Sequence, residues 1–286
     1  MPKPAINFDT YLKRIPSHSI DLPQESEVPC YHYRRSANDA WNLLVYIERN
    51  LAEVSVYRVS YDAHMHRLAT MVLLGMVEAF ERFLKQLAAE CINHVARCTS
   101  DDRLDVFSAK GSVMAAHFSS GNLGRSLCEP LAWCDCDETN KRFRRILADP
   151  FTQGEFYVFP SHTQNPSGLR DRHELMSIVW QLRHTVAHNM GVVTPSDALK
   201  LRLLVKGIVE SPRLLWPTKG DVWYVKLFLD ETAELLNREV GARLAALLTT
   251  LHQTDPTLFQ ADVKAQELAD LFKTPATVDG HLRNPL

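Results

Sequence analysis

The chain has 286 residues, 45% of them hydrophobic, so it carries enough apolar side chain to bury a substantial core in one large domain or two smaller ones. Its formal net charge of −2 excludes a strongly basic nucleic-acid coat protein, and any anion site must come from local clustering of Arg and Lys. No apolar run approaches the ~20 residues of a membrane span, the N-terminus lacks the apolar core of a signal peptide, and six cysteines without framework spacing favour free thiols in a reducing cytoplasm.

The N-terminal half begins with a non-periodic segment and continues with helical patterns. Residues 1–35 contain several prolines and predict an irregular arm that docks through aromatic residues such as Tyr31. Ser36 is predicted to cap the first helix. A longer helix is predicted over about 61–97, where apolar residues recur at steps of three and four, and Gly75 within it indicates close helix packing.

Residues 99–170 lack the long helical patterns of the preceding segment and are rich in turn-forming residues. "SSGNLGRS" is interpreted as a turn, "GEFYVF" as the one short strand, and "TNKRFRRIL" as a short basic helix. We interpret the whole stretch as an insertion between helices, since it lacks the features of an independent domain.

Further helices are predicted beyond the insertion. One runs from about residue 171 to Met190, and Gly191 is placed to end it in the left-handed conformation. The next begins with Thr194 as its cap and Pro195 at the first helical position.

A long helical pattern then covers 221–252, and Asp255 opens a last helix that reaches about residue 273. The tail over 276–286 is predicted to be mobile. The fold class is therefore all-α, with one helical domain over 36–275.

The helix predicted to end at Met190 carries an arginine and two histidines in its last turns. Its apolar residues form a stripe that we predict to be buried: Leu175, Ile178, Val179, Leu182 and Val186. Its polar residues form another stripe: His173, Ser177, Gln181, His184 and His188. Arg183 lies about 140° from His188 on an ideal helix, yet its long side chain can reach a substrate held above the imidazole.

The spacing arginine, polar residue, three residues, histidine in "RHTVAH" resembles the signature of HEPN domains (higher eukaryotes and prokaryotes nucleotide-binding), with His184 in the polar position. The earlier segment "GMVEAFERFLKQL" resembles the earlier HEPN helix, and Glu78 or Glu81 is the candidate acidic residue. The resemblance covers about residues 40–97 and 171–250. It implies a HEPN-like helical bundle in which the segment between them is an irregular insertion.

Metal-independent cleavage of RNA requires residues that transfer protons and a residue that stabilises charge on the phosphate. Histidine, which titrates near neutrality, suits proton transfer, and arginine offers a permanent planar fork of donors for phosphate. The resemblance implies a homodimer in which two motifs face one another, so that His188 and its symmetry mate share the acid and base roles. Arg183 is then the second catalytic residue.

The resemblance also implies supporting roles for the neighbouring residues. His184 and Asn189 position the phosphate or His188, and Glu78 or Glu81 orients Arg183. The expected reaction is attack by a ribose 2′-hydroxyl to give a 2′,3′-cyclic phosphate and a 5′-hydroxyl, with no metal or other cofactor.

The expected partners follow from the same resemblance. They are RNA, a second copy of the chain, and an antitoxin-like or regulatory protein, because an unregulated ribonuclease is toxic to its host. The family implies a role in a toxin–antitoxin pair or in phage defence, and no membrane partner is expected.

Other residues offer alternative interpretations. The basic helix supplies candidate contacts to the RNA backbone, although a solvated basic face accounts for them equally well: Lys141, Arg142, Arg144 and Arg145. The i, i+4 pair His184 and His188 can bind zinc, but it lacks the glutamate of the H-E-x-x-H motif. Three cysteines have metal-binding chemistry without the spacing of a zinc motif: Cys128, Cys134 and Cys136.

A function of a different class is also compatible with the sequence. The chain can be a catalytically silent HEPN-like helical module that binds nucleotides or serves as a scaffold for other proteins. The intact Arg183 and His188 favour the ribonuclease over this alternative.

Overall fold

The computed structural model describes residues 28–50, 60–96, 102–107, 122–149, 155–161, 172–205, 213–254 and 267–272. The named helices in these ranges are α1 (Pro29–Asn50), α2 (Tyr61–Val95), α3 (Leu123–Cys128), α4 (Cys136–Ile146), α5 (Arg172–Asn189), α6 (Pro195–Leu204) and α7 (Lys219–Thr254), with a 3₁₀ turn at Asp102–Leu104. Residues 267–271 are also helical. The described residues contain no β-strand, and their strand-like pairing is one isolated antiparallel bridge between Val192 and Leu214. The predicted all-α class is therefore confirmed. Within the same residues, no helix is both long enough and apolar enough to cross a membrane.

Helix α2 is the central element of the fold, because α1, α3, α4, α5 and α7 all pack against it. It begins where the Ser60 hydroxyl accepts a hydrogen bond from the N–H of Ala63, which satisfies a donor that the first turn leaves open. Its buried apolar residues recur at helical spacing along nearly its whole length and include Leu73, Met76, Val77, Phe80, Leu84, Leu87 and Ile92. The predicted helix over 61–97 is confirmed.

Aromatic side chains of α1 and α5 pack against an aromatic side chain of α2. The ring of Tyr33 on α1 lies 5.6 Å from that of Phe80 in an edge-to-face arrangement, and the rings of Phe80 and Trp180 on α5 are 6.2 Å apart. Such pairs contribute roughly 0.5–1.5 kcal/mol beyond the area that they bury. The helix that carries the arginine and two histidines is therefore held directly against α2.

A buried polar cluster joins α1 to α7. The Asp230 carboxylate accepts hydrogen bonds from the Tyr33 hydroxyl at 3.0 Å and the Lys226 ammonium at 2.5 Å, and it pairs with the Arg34 guanidinium at 3.0 Å. Burial and the nearby Asp230 charge raise the pKa of Tyr33 well above its ordinary value. Because removal of one partner leaves a buried charge uncompensated, this cluster fixes how the two helices pair.

The predicted start of the first helix at Ser36 is wrong, because α1 begins at Pro29. Proline suits the first helical turn, where its missing N–H has no intrahelical acceptor to lose. The turns of α1 before Ser36 form because Tyr33 and Arg34 are buried and bond Asp230 of α7. Tyr31, through which the arm was predicted to dock, is exposed. Of the arm predicted over 1–35, residues 1–27 lie outside the described residues.

Two interpretations of the insertion are also wrong. "SSGNLGRS" contains helix α3, which begins where the Asn122 side chain accepts a hydrogen bond from the N–H of Arg125. The predicted strand "GEFYVF" is irregular from 155 to 160, because the side chain of Asn140 on α4 bonds both backbone groups of Phe159. The basic helix is confirmed as α4. Of the insertion, residues 99–101, 108–121, 150–154 and 162–170 lie outside the described residues. Of the helix predicted from Asp255 to about residue 273, residues 267–271 are helical, and residues 255–266 and the tail over 276–286 lie outside the described residues.

The close helix contact predicted at Gly75 is found at Gly124 instead. A β-carbon on Gly75 would meet no atom within 4 Å, whereas one on Gly124 would lie 2.1 Å from the carbonyl oxygen of Ala89. The N–H of Gly124 also donates to the side chain of Asn93 at 2.8 Å. The absence of a side chain at Gly124 therefore allows the backbone of α3 to lie against α2.

These two glycines form a matched pair for mutation. Gly124→Ala should lower the free energy of unfolding by about 3 kcal/mol, since the new methyl group meets backbone that cannot move alone. Gly75→Ala should raise it by up to about 1 kcal/mol, because alanine is the better helix former at an open position. Urea denaturation followed by circular dichroism measures both, and equal stability of the two variants would contradict the assigned packing.

Candidate functional site

Helix α5 carries the candidate site, and its buried face is rotated relative to the prediction. Val179 and Val186 are buried as expected, together with Met176 and Trp180. The other predicted core residues are only partly buried: Leu175, Ile178 and Leu182. Gln181, which was predicted to lie on the polar side, is buried. The polar face is consequently narrower than predicted and is concentrated at the end of the helix.

Helix α5 ends where two consecutive residues adopt positive φ, Met190 at 51° and Gly191 at 82°. The N–H of Gly191 reaches back to the Thr185 carbonyl at 3.3 Å, and its own carbonyl accepts from the N–H of Leu215 at 2.7 Å. A β-carbon on Gly191 would lie 2.8 Å from the Leu215 oxygen. Glycine is therefore required at this position for its left-handed conformation, as predicted, and also for the close approach of the Leu215 carbonyl, which was not predicted.

The buried carboxylate of Asp197 ties the end of α5 to the beginning of α6. It accepts hydrogen bonds from the amide of Gln181 at 2.9 Å and from the amide of Asn189 at 2.8 Å. It also accepts from the hydroxyl and N–H of Thr194, which caps α6 in the predicted position. Burial alone would raise the pKa of Asp197, but these hydrogen bonds outweigh it and lower the pKa.

This arrangement gives Asn189 a structural contact. One of the two N–H donors of its side-chain amide is directed at Asp197. The contact holds the last turn of α5, on which His188 lies.

The two histidines of the motif stand together on the exposed side of that last turn. The ring centroids of His184 and His188 are 4.8 Å apart, and both side chains are accessible to solvent. His184 also borders a cavity of about 330 Å³, in which Lys200 of α6 and Asp135 at the start of α4 are further lining residues. Two adjacent, accessible imidazoles can exchange protons with a bound substrate.

Arg183 faces a different cavity, a cleft of about 560 Å³ between α5, α2 and α3. The predicted acidic residues Glu78 and Glu81 line the same cleft, whereas His188 is not among its lining residues. The Arg183 Nε atom is buried and has no hydrogen-bond partner among the described residues. Within one chain, the guanidinium and the His188 imidazole therefore serve different sides of α5.

The two glutamates differ in what they contact. Glu81 accepts from the N–H of Trp133 at 3.1 Å and lies 3.4 Å from the Lys85 ammonium. Burial would raise the pKa of Glu81, but these contacts and the Cys134 thiol lower it overall. Glu78 is exposed and adjoins the same cleft. Neither carboxylate forms an ion pair with Arg183 in the described part of the chain, so the expected orienting contact is absent from this arrangement.

The arginines of α4 mainly stabilise the protein itself. Arg142 donates to the Ala132 carbonyl at 2.6 Å and lies over the Trp133 ring at 4.9 Å. Arg144 forms an ion pair with Glu155 and lies over the ring of Tyr157. Lys141 lies 3.6 Å from Glu138 on the exposed surface, and Arg145 is exposed. These contacts favour the structural interpretation of the basic helix over the predicted contacts to RNA.

Three cysteines lie close to α3 and α4, and their thiols are buried or partly buried. Burial raises the pKa of Cys128, Cys134 and Cys136 to about 12, which disfavours the thiolate that zinc requires. Within the described ranges, no three His, Cys, Asp or Glu side chains are grouped so that they could hold a metal ion.

Comparison of this chain with protein-family models, with curated proteins and with solved structures finds no match. Its function is therefore inferred from its own residues. Arg82 and Arg125 also line the cleft that contains Arg183. The sequence patterns single out Arg183, His188 and the glutamates as candidates. They do not single out Asp197, Arg82 or Arg125. Arg82 lies four residues after Glu78 on α2, so helical spacing does place it on the same face, whereas the other two reach the site through tertiary contacts.

The Asp197 network makes a testable prediction about stability. Asp197→Ala should lower the free energy of unfolding at neutral pH by about 2–3 kcal/mol, because buried donors lose a charged acceptor. Since the pKa of Asp197 is lowered in the folded chain, its contribution is present above the ordinary aspartate pKa of about 3.9 and is lost as the pH falls further.

Asp221 supplies the matched control, because it accepts from Thr218 at the start of α7 in the same capping arrangement but is exposed. Asp221→Ala should cost about 1 kcal/mol. Urea denaturation from pH 7 downwards compares the two, and equal losses at pH 7 would contradict the structural importance of the buried network.

Proposed function

We propose that this chain is a metal-independent endoribonuclease of the HEPN type that acts as a homodimer. The observation that carries the proposal is the end of α5, which presents the accessible His184–His188 pair on one side and a partly buried Arg183 guanidinium on another. The Nε of Arg183 has no hydrogen-bond partner in the described part of the chain. This combination supplies proton transfer and a permanent cation next to a cleft large enough for a nucleotide.

In the proposed reaction, the His188 imidazole of one subunit removes the proton of a ribose 2′-hydroxyl. The 2′-oxygen attacks the adjacent phosphorus and the bond to the 5′-oxygen breaks. The His188 of the second subunit, which begins the step as the imidazolium, protonates that leaving oxygen and becomes the neutral imidazole. The Arg183 guanidinium stabilises the charge that accumulates on the non-bridging oxygens. The products are a 2′,3′-cyclic phosphate and a 5′-hydroxyl, and no electron transfer or cofactor is involved.

A second subunit is needed because Arg183 and His188 face different sides of α5 in one chain. Exposed apolar side chains directly after α5 and on the neighbouring α6 supply a surface for the partner: Met190 (91% exposed), Val192, Leu199 and Leu203. Twofold association through this surface would bring two α5 ends together.

The catalytically silent scaffold remains the second candidate, and the same apolar residues favour it. An exposed apolar surface can bind an unrelated protein as well as a second copy of the chain. The antitoxin-like or regulatory partner and the toxin or phage-defence context belong to the ribonuclease proposal and come from the resemblance alone. The proposed cytoplasmic location rests on the cysteine pattern of the sequence.

Incubation of the purified chain with mixed RNA in EDTA tests the proposal. Cleavage should persist in EDTA and yield 2′,3′-cyclic phosphate ends, and His188→Ala or Arg183→Ala should lower the rate by at least about 100-fold. His173→Ala, at the opposite end of the same helix, is the matched control and should retain activity. Intact RNA with the wild-type chain would favour the scaffold, and activity abolished by EDTA would indicate a metal-dependent enzyme.

A further inference from the structure

The cleft that contains Arg183 continues into a second cavity on the other side of α2. This second cavity has a volume of about 320 Å³ and lies between α1 and α2, with Arg35 and Ser36 among its lining residues. Arg82 and Gln86 of α2 line both cavities, so the two are direct neighbours. Together they extend from α5 and α3, across α2, to α1. We call the two cavities together the α2 groove.

Positively charged side chains occur along the whole length of the α2 groove. Arg183 and Arg125 line its first cavity, Arg82 lies where the cavities meet, and Arg35 lines the second. Arg82 and Arg125 are exposed, and neither forms an ion pair with another described residue. Guanidinium groups in this state offer several donors to a phosphate without first breaking an internal contact.

The carboxylates in the α2 groove only partly offset these cations. Glu81 is occupied by the Trp133 N–H and by Lys85, and Asp39 lies 3.9 Å from Arg35 in an exposed pair. Glu78 and Glu129 also line the first cavity. These carboxylates lower the net positive charge of the α2 groove, and contacts of its exposed guanidinium groups with phosphates weaken as the salt concentration rises.

We propose that the α2 groove binds the sugar–phosphate backbone of a single RNA strand and leads it to Arg183. The proposal rests on the ribonuclease function and assigns Arg82 and Arg125 as RNA-binding residues. A strand fits better than an isolated nucleotide, because the cations are distributed over two adjoining cavities and do not converge on one point. Contacts of guanidinium groups with phosphates carry no sequence information, so this binding should tolerate many sequences.

The test measures binding without cleavage. A fluorescent single-stranded oligonucleotide with 2′-O-methyl riboses cannot undergo attack by a 2′-hydroxyl, and its anisotropy gives Kd at several salt concentrations. Arg82→Ala and Arg125→Ala should each weaken binding and reduce the slope of log Kd against log salt by about 0.7, the value for one phosphate contact on a single strand. Arg67→Ala, which removes an exposed arginine elsewhere on α2, should leave the slope unchanged.

Slopes that are identical in the wild type and in both groove variants would overturn the proposal. The proposal would also be overturned if adenosine monophosphate or inorganic phosphate displaced the probe at the same concentration as the unlabelled oligonucleotide. A pocket for a small anion would then explain the arginines. Reduced slopes in a chain that cleaves no RNA would retain the groove and reject the ribonuclease. Unchanged slopes in a chain that does cleave RNA would retain the ribonuclease and reject the groove.

Discussion

The hydrogen bonds that converge on the buried Asp197 carboxylate determine the geometry of the candidate site. They join Gln181 and Asn189 of α5 to Thr194 at the start of α6, so the last two turns of α5 are held from within. The backbone pairing of Gly191 with Leu215 fixes the same point from the other side. The position of the His188 imidazole therefore depends on a carboxylate at the start of the neighbouring helix α6.

The motif helix divides its functional side chains between two surfaces. Thr185 and Val186 are buried, so the arginine before them and the histidine after them emerge on different sides of α5. Arg183 lines a cleft together with charged residues of α2, whereas His184 and His188 are exposed as a pair. This separation is the physical reason that a second subunit enters the proposed mechanism, and the exposed apolar residues beside the motif provide a surface for it.

Helices with an apolar face were predictable because burial repeats with the helical period. The expected bounds of α2, α5 and α7 lie close to the observed ones, and so does the expected start of α6. The errors arose where tertiary contacts override local pattern. The start of α1 depends on the burial of Tyr33 against α7. The segment "GEFYVF" pairs with no strand among the described residues, and the side chain of Asn140 bonds the backbone N–H and carbonyl of Phe159.

The candidate site shows the same division between local and tertiary information. Arg183 and His188 are visible because their spacing is local, and the glutamates of α2 indeed share a cleft with Arg183. The contribution of Asp197, the approach of Arg125 and the internal contacts of Arg142 and Arg144 depend on segments that meet only after folding. A sequence contains no periodic signal for such contacts.

The most direct measurement of the central claim is the activity of dimers assembled from mixed subunits. Wild-type and His188→Ala chains are co-expressed or refolded together in known ratios, and the rate of RNA cleavage is measured against the wild-type fraction. If one cleft requires both copies of His188, activity falls with the square of that fraction, to about a quarter in an equal mixture. A linear fall, to about half in an equal mixture, would contradict the shared site, because each chain would then carry a complete site of its own.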